Sequence, residues 1–121
     1  MIKDVCLAAA HMLGREDEAD ALSAGDAETC GKYLRLYNLV VSEIAEEYRR
    51  GDYDVPPAGA DLSEDEAKFY GISARVLAYG VAAECAVTEG LDVAEMWDTR
   101  YKSSIALAPR RPVRIRARRF V

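Results

Sequence analysis

The sequence is poor in the residues that most often carry chemistry. It has one histidine, His11, and three cysteines, Cys6, Cys30 and Cys85, in 121 residues. A lone imidazole has no second histidine with which to hold a metal, so His11, beside Met12, reads as a surface or partly buried helix residue. The cysteines are odd in number, far apart and outside any CxxC spacing, which argues against both a disulfide framework and a zinc site. They read as small apolar core residues. Gly71, Gly80 and Gly90 are isolated and form no phosphate-cradling motif. No run of about 18 apolar residues exists to span a bilayer, so a membrane is not an expected partner. The opening MIKDVCLAAAHMLGRED lacks the basic start and long apolar middle of a secretory signal, which makes the cytoplasm the expected compartment.

What the sequence does have is divided charge. There are 16 Lys plus Arg against 21 Asp plus Glu, and six of the 16 lie between residues 110 and 119, leaving 10 against 21 elsewhere. Residues 1–109 therefore carry −11 and the last segment +6. Such a split predicts two parts, a body over 1–109 and a basic arm over 110–121 that binds something acidic. Half of the residues are apolar, enough for one modest core.

The apolar spacing predicts an all-α body, a small bundle of about four helices. Ile2, Val5, Cys6, Ala9, Met12 and Leu13 mark a first helix that Gly14 stops. The acidic stretch REDEADALSAGDAE reads as a loop with at most one helical turn. From about Asp26, Cys30, Leu34, Tyr37, Val41, Ile44 and Tyr48 form one stripe, which Arg49, Arg50 and Gly51 close. The Pro-Pro pair in GDYDVPPAGADL breaks the chain. A capping box of Ser63 with Glu66 predicts a single turn. A third helix, from Ser73 as its cap to Glu89, is rich in Ala and Gly on several faces and reads as the central one. Asp92 and Glu95 predict the start of the fourth, which carries Val93, Met96, Trp97, Tyr101 and Ile105 to a stop at Pro109.

No converging set of nucleophile, base and metal ligands is apparent, so no catalytic residue, metal or cofactor is expected, and the chain does not read as an enzyme. Glu84 and Cys85 are adjacent and point about 100° apart on a helix, which keeps them from acting as a thiol and its base. The acidic runs Glu16, Asp17, Glu18, Asp20 and Glu64, Asp65, Glu66 do not follow the spacing of a calcium loop. They read as solvated loops or docking surfaces for arginine. Tyr33, Tyr37, Tyr48, Tyr79, Trp97 and Tyr101 read as core rather than as a base-stacking platform.

The arm, RRPVRIRARRF, has a pattern of its own. Val113, Ile115 and Ala117 alternate with Arg114, Arg116 and Arg118, the two-residue period of an extended strand. With no second strand in the body, it would pair with an edge or groove on another chain. Arg110, Arg111, Val113, Arg114, Ile115, Arg116, Arg118, Arg119 and Phe120 are the expected partner-binding residues. The arginine fork suits carboxylates as well as phosphates.

The stretch ISARVLAYGVAAECAVTEGLDVAEMWDTRYKSSIALA, followed after a proline by RIRARRF, resembles the C-terminal half of small virion proteins of tailed bacteriophages and prophages. In these a LAYGVAAE-type helix, a glycine, a helix with a W-D-x-R-Y pattern and a basic end closed by an aromatic follow one another. KDVCLAAAHMLGRED and YLRLYNLVVSEIAEEY resemble their N-terminal half. The resemblance is to head-to-tail connector (adaptor) proteins, here in a short form without the β-rich insertion that longer members carry between the second and third helices. It implies a virion protein of the neck, assembled in the host cytoplasm. Its implied partners are the portal protein, neighbouring copies in a homo-oligomeric ring (twelve-fold in that family) and other tail or neck proteins, with DNA met only in passage through the channel. The alternative from a different class is a small nucleic-acid-binding regulator whose basic arm grips phosphate.

Overall fold

The structure is a computed structural model that describes residues 1–48 and 58–109. Among these residues the fold is all-α, with helices α1 (Ile2–Met12), α2 (Glu16–Ala24), α3 (Ala27–Glu43), α4 (Ala74–Thr88) and α5 (Ala94–Leu107). A π-helical turn, Ile44–Tyr48, continues α3. Arg49, Arg50 and Gly51, expected to close that helix, lie outside the described residues, as do the Pro-Pro pair and the whole arm from Arg110 to Val121.

The fifth helix, α2, replaces the expected acidic loop. Its apolar signal is weak, since only Ala19 and Leu22 are buried, but Glu16, Asp17 and Glu18 sit in the first turn where the helix dipole favours negative charge. Gly25, at φ 79°, supplies the left-handed residue that ends it. Asp26 then caps α3, accepting hydrogen bonds from the Thr29 amide (3.0 Å) and hydroxyl (2.8 Å).

The buried face of α3 is wider than the stripe read from spacing. Tyr37, Val41 and Ile44 are buried as expected, but so are Tyr33, Leu36 and Val40, whereas Cys30 and Leu34 are half-buried. The cause is that α3 touches α1 and α2 as well as α4, so more than one line of residues is covered.

Three expected caps are absent. Ser73 precedes α4 with extended backbone but makes no side-chain cap bond. Helix α5 begins at Ala94 with Val93 before it, not through Asp92 and Glu95. Ser63 and Glu66 form no capping box, because each partner is used differently. The Ser63 amide donates to Asp61 Oδ1 at 2.8 Å, while Glu66 pairs with the N-terminal ammonium at 2.7 Å and with Lys68 Nζ at 2.8 Å. The single turn expected there is accordingly a tight bend at residues 61–64.

That segment is laced to the bundle. The amides of Ile2 and Lys3, which have no partner within their own helix, donate to the carbonyls of Glu64 (2.8 Å) and Leu62 (2.9 Å). Asn38 of α3 exchanges two hydrogen bonds with the Gly59 backbone, and the Ala67 amide donates to the Tyr37 hydroxyl at 2.6 Å. Leu62, Ala67 and Phe69 are buried. The segment therefore acts as a strap across α1 and α3 rather than as a free linker.

Helix α4 is central, as its composition predicts, packing on α1, α3 and α5. Eight of its residues are buried, among them Ala78, Gly80, Ala82, Ala83 and Ala86, so neighbours approach its backbone closely. A Cβ at Gly80 would lie 2.6 Å from Val40 Cγ1 and 2.8 Å from Tyr101 Cε1, too close for either without movement. Gly80→Ala should therefore destabilise the fold by about 1–3 kcal/mol through overpacking, against the roughly 1 kcal/mol that alanine gains in helix propensity. Urea unfolding checks this, with Val87→Ala on the exposed side of α4 as the control that should shift the midpoint little.

Candidate interaction surfaces and a partly buried charge network

The residues expected to bind a partner, Arg110, Arg111, Val113, Arg114, Ile115, Arg116, Arg118, Arg119 and Phe120, all lie outside the described residues. The structure does fix where the arm starts. Helix α5 ends at Leu107, Ala108 turns extended (ψ 137°), and Pro109 packs against Gly71. Gly71 is held at φ 74°, and a Cβ there would collide with the Pro109 carbonyl and ring. Only glycine meets both demands, so the bend at residues 69–72 seats the exit of the arm.

The densest chemistry in the body joins α2, α3 and α4. Lys32 Nζ donates to Glu18 Oε2 (2.7 Å) and Glu89 Oε2 (3.2 Å). Arg15 Nη1 donates to Glu89 Oε1 (2.9 Å), the Tyr33 hydroxyl to Glu18 Oε1 (2.7 Å), and the Cys85 thiol to Glu89 Oε2 (2.8 Å). Two cations face two carboxylates, so the group is neutral in sum.

Its protonation states follow from the surroundings. The Cys85 hydrogen bond holds Glu89 below the usual carboxylate range, against the opposing effect of burial, and Lys32 and Arg15 add to the lowering. Burial by itself would lower Lys32, but its bonds to Glu18 and Glu89 outweigh that and raise it. Burial first, and then the bond to Glu89, push the Cys85 thiol up to about 11. A neutral thiol facing an anion is a poor nucleophile. The same geometry weighs against a bound cation. Glu18, Cys85 and Glu89 do bring ligand atoms within 4.8 Å of one another. Yet an ammonium already bridges the two carboxylates, and a metal would have to displace it and also deprotonate the thiol.

Sequence spacing hides this network. Arg15 and Glu18 lie three residues apart at the start of α2, but Lys32 and Glu89 come from distant parts of the chain, and no local motif unites the four. The expected divergence of Glu84 from Cys85 does hold. Cys85 turns to Glu89, four residues on, while the Glu84 carboxyl is raised by burial and by the nearby charges of Glu43 and Asp98.

The two acidic runs serve largely local ends. In the first, Glu18 is the network's anchor and Glu16 contacts His11 Nδ1 at 3.0 Å, while Asp17 and Asp20 are exposed. In the second, Glu64 accepts the amides of Ala60 and Asp61 at 2.6 Å. The Lys68 and N-terminal bonds hold Glu66 down at about 2. Tyr33, Tyr37, Trp97 and Tyr101 are buried, as the core reading expects.

No family model, curated protein or solved structure matches the chain.

Two of the concave surfaces among the described residues present apolar side chains. One recess of about 460 Å³ lies between the start of α1, the join of α2 and α3 and the strap, lined by Leu22, Cys30, Leu34 and Leu62 with Lys3 and Asp61 at its edge. The other is an open groove on the outer face of α5, where Leu107 is 84% exposed and Met96 49%. Helix α5 packs mainly on α4, through Trp97, Tyr101 and Ile105, and turns this other face outward. Between the two faces, the Arg100 guanidinium lies over the Tyr79 and Trp97 rings at 5.7 and 5.3 Å.

Two measurements test the network. Lys32→Met should cost about 1–2 kcal/mol in chemical denaturation, between the values for exposed and fully buried pairs, because it leaves Glu18 and Glu89 close with only Arg15 to offset them. Alkylation of the native protein should modify Cys30 first, since it lines the recess. Cys85, and Cys6, whose thiol burial raises to about 12, should react only on unfolding. Mass spectrometry of tryptic peptides reads the order.

Proposed function

We propose that this chain is a virion structural protein, a head-to-tail connector adaptor whose copies form a ring beneath the portal and dock through the arm at residues 110–121, on the portal or on a neighbouring subunit. The observation that carries the proposal is the division of charge on an all-helical body. Residues 1–109 carry −11 and the arm +6, and the arm leaves from a seated exit at Gly71 and Pro109. Five of the ten cations in residues 1–109 are engaged at home. Arg15 and Lys32 hold Glu18 and Glu89, Lys68 holds Glu66, Lys102 holds Asp98, and Arg100 lies on two aromatic rings. What the body offers a partner is therefore acid and apolar surface, and what the arm offers is arginine interleaved with Val113, Ile115 and Phe120.

Physically, helical bodies packed side by side make heterologous contacts, which close into a ring when the rotation per subunit permits. An arm that reaches beyond its own subunit fixes a contact that a body of this size makes only weakly. The likeness of residues 72–108 and the arm to the connector family supports the same reading. It also supports assembly in the host cytoplasm and residence in the neck of the virion.

Deleting residues 110–121 provides the test. The truncated body should keep its helical circular dichroism and unfold within a few degrees of the full chain, yet fail to join portal-containing particles. Normal incorporation without the arm would sink the docking role. Binding of the full chain to free DNA with a steep loss of affinity as salt rises would instead favour a nucleic-acid-binding regulator.

A further inference from the structure

We infer that the outer face of α5 is the receptor for the arm of a second copy, so that successive subunits join head to tail, arm into groove. This inference rests on the assembly reading above and names the surface it would use.

The groove has two kinds of wall. Met96 and Leu107 are apolar and exposed, separated by eleven residues and so close to the same side of the helix, with Ser103 between them. Asp92 and Glu95 stand at the N-terminal end without a cationic partner among the described residues. Arg100, the one cation lining the groove among the described residues, is stacked on Tyr79 and Trp97. The arm carries the complementary set. Val113 and Ile115 share one side of its two-residue period, and long arginine side chains flank them and can reach carboxylates at a rim while their stems cover apolar surface.

Length fits as well. Twelve residues extend to roughly 40 Å at most, whereas α5 from Ala94 to Leu107 is roughly 20 Å long at a helical rise. The arm can thus cross to a neighbour and still cover the groove. At the exit Ala108 is extended and Pro109 is seated on Gly71, so the last described residues have left the helical path of α5. Every copy has one groove and one arm, which is what a closing ring of heterologous contacts requires.

A complementation experiment on the full chain decides the matter. One variant reverses the groove charge, Asp92→Arg with Glu95→Arg; the other reverses the arm, Arg114→Glu with Arg116→Glu. All four positions lie at exposed sites or in the arm, and circular dichroism confirms folding. Leu107→Asp is a second groove variant that leaves the charge pattern of the first helical turn untouched. In sedimentation velocity, wild type should self-associate, and each variant alone should do so about tenfold more weakly or worse. Mixing the groove and arm variants should restore association as one-to-one pairs, because the first retains an intact arm and the second an intact groove.

Wild type that associates while every variant associates equally well would overturn the inference and leave the adaptor reading standing, since another surface would then join the copies. A mixture that stays monomeric while wild type associates would overturn it too, as an arm folded on its own helix gives that result. Wild type that is monomeric at all concentrations likewise overturns it, and the particle incorporation assay then judges the adaptor reading separately.

Discussion

How near its neighbours can come to α4 sets the rest of the body. Alanine and glycine make up five of that helix's eight buried residues, so α1, α3 and α5 reach it closely on different sides. The bulk that fills the core is supplied from outside, by Tyr33, Tyr37, Trp97, Tyr101 and Ile2. This arrangement places aromatic rings against small residues, and it leaves the ring hydroxyls to find polar ends. Tyr33 reaches Glu18, Tyr37 takes the Ala67 amide, and Tyr101 reaches Glu43 at 2.8 Å. Each buried phenol is satisfied at the margin of the core, which is how a small domain holds three of them without an orphaned hydroxyl.

The same economy governs charge. Glu18, Glu89, Lys32 and Arg15 tie the α2 end of the molecule to the last turn of α4, at a place where helix packing alone is thin because α2 buries only Ala19 and Leu22. The network does the work of a missing hydrophobic contact, and its partial burial makes it stronger than a surface pair while sparing the full cost of desolvating four charges. A neutral thiol completes the coordination of Glu89. Cys85 is thus neither an inert packing residue nor a reactive one; it is a hydrogen-bond donor with a small apolar body.

Periodicity made the helices α1, α3, α4 and α5 legible, and composition marked α4 as central. Gly14, Gly25 and Gly90 ended helices at the positions a left-handed residue would occupy, with φ of 71°, 79° and 65°. Helix α2 escaped because one leucine and three alanines in nine residues give almost no period, and its first-turn carboxylates look the same in an acidic loop. The capping motifs misled for a different reason. Ser63, Ser73 and Asp92 sit at plausible caps, but a local motif says nothing of the tertiary partners that compete for it, and Glu66 found the N-terminal ammonium instead. The ion network was invisible for the same reason in stronger form, since its members meet only after α2, α3 and α4 have packed. The strap at 58–72 was legible as a break but not as a structural element, because its bonds to Ile2, Lys3 and Asn38 join distant parts of the chain.

Charge division has a consequence for any assembly of this chain. Bodies of −11 repel one another, and the repulsion grows as copies crowd side by side. An arm of +6 laid across a neighbour cancels more than half of that charge at the contact itself, where separation is least and screening weakest. Repulsion between bare bodies and attraction between arm and body then act together. Under the proposed assembly, copies meeting without an engaged arm would separate and copies meeting with one would be held, so the arm would select the productive geometry as well as strengthen it. Apolar residues within the arm sharpen that selection. A uniformly basic tail would adhere to any acidic stretch of the body, including the exposed carboxylates of α2, whereas alternating Val113 and Ile115 would, in the proposed docking, favour the acidic end of α5 that also presents Met96 and Leu107.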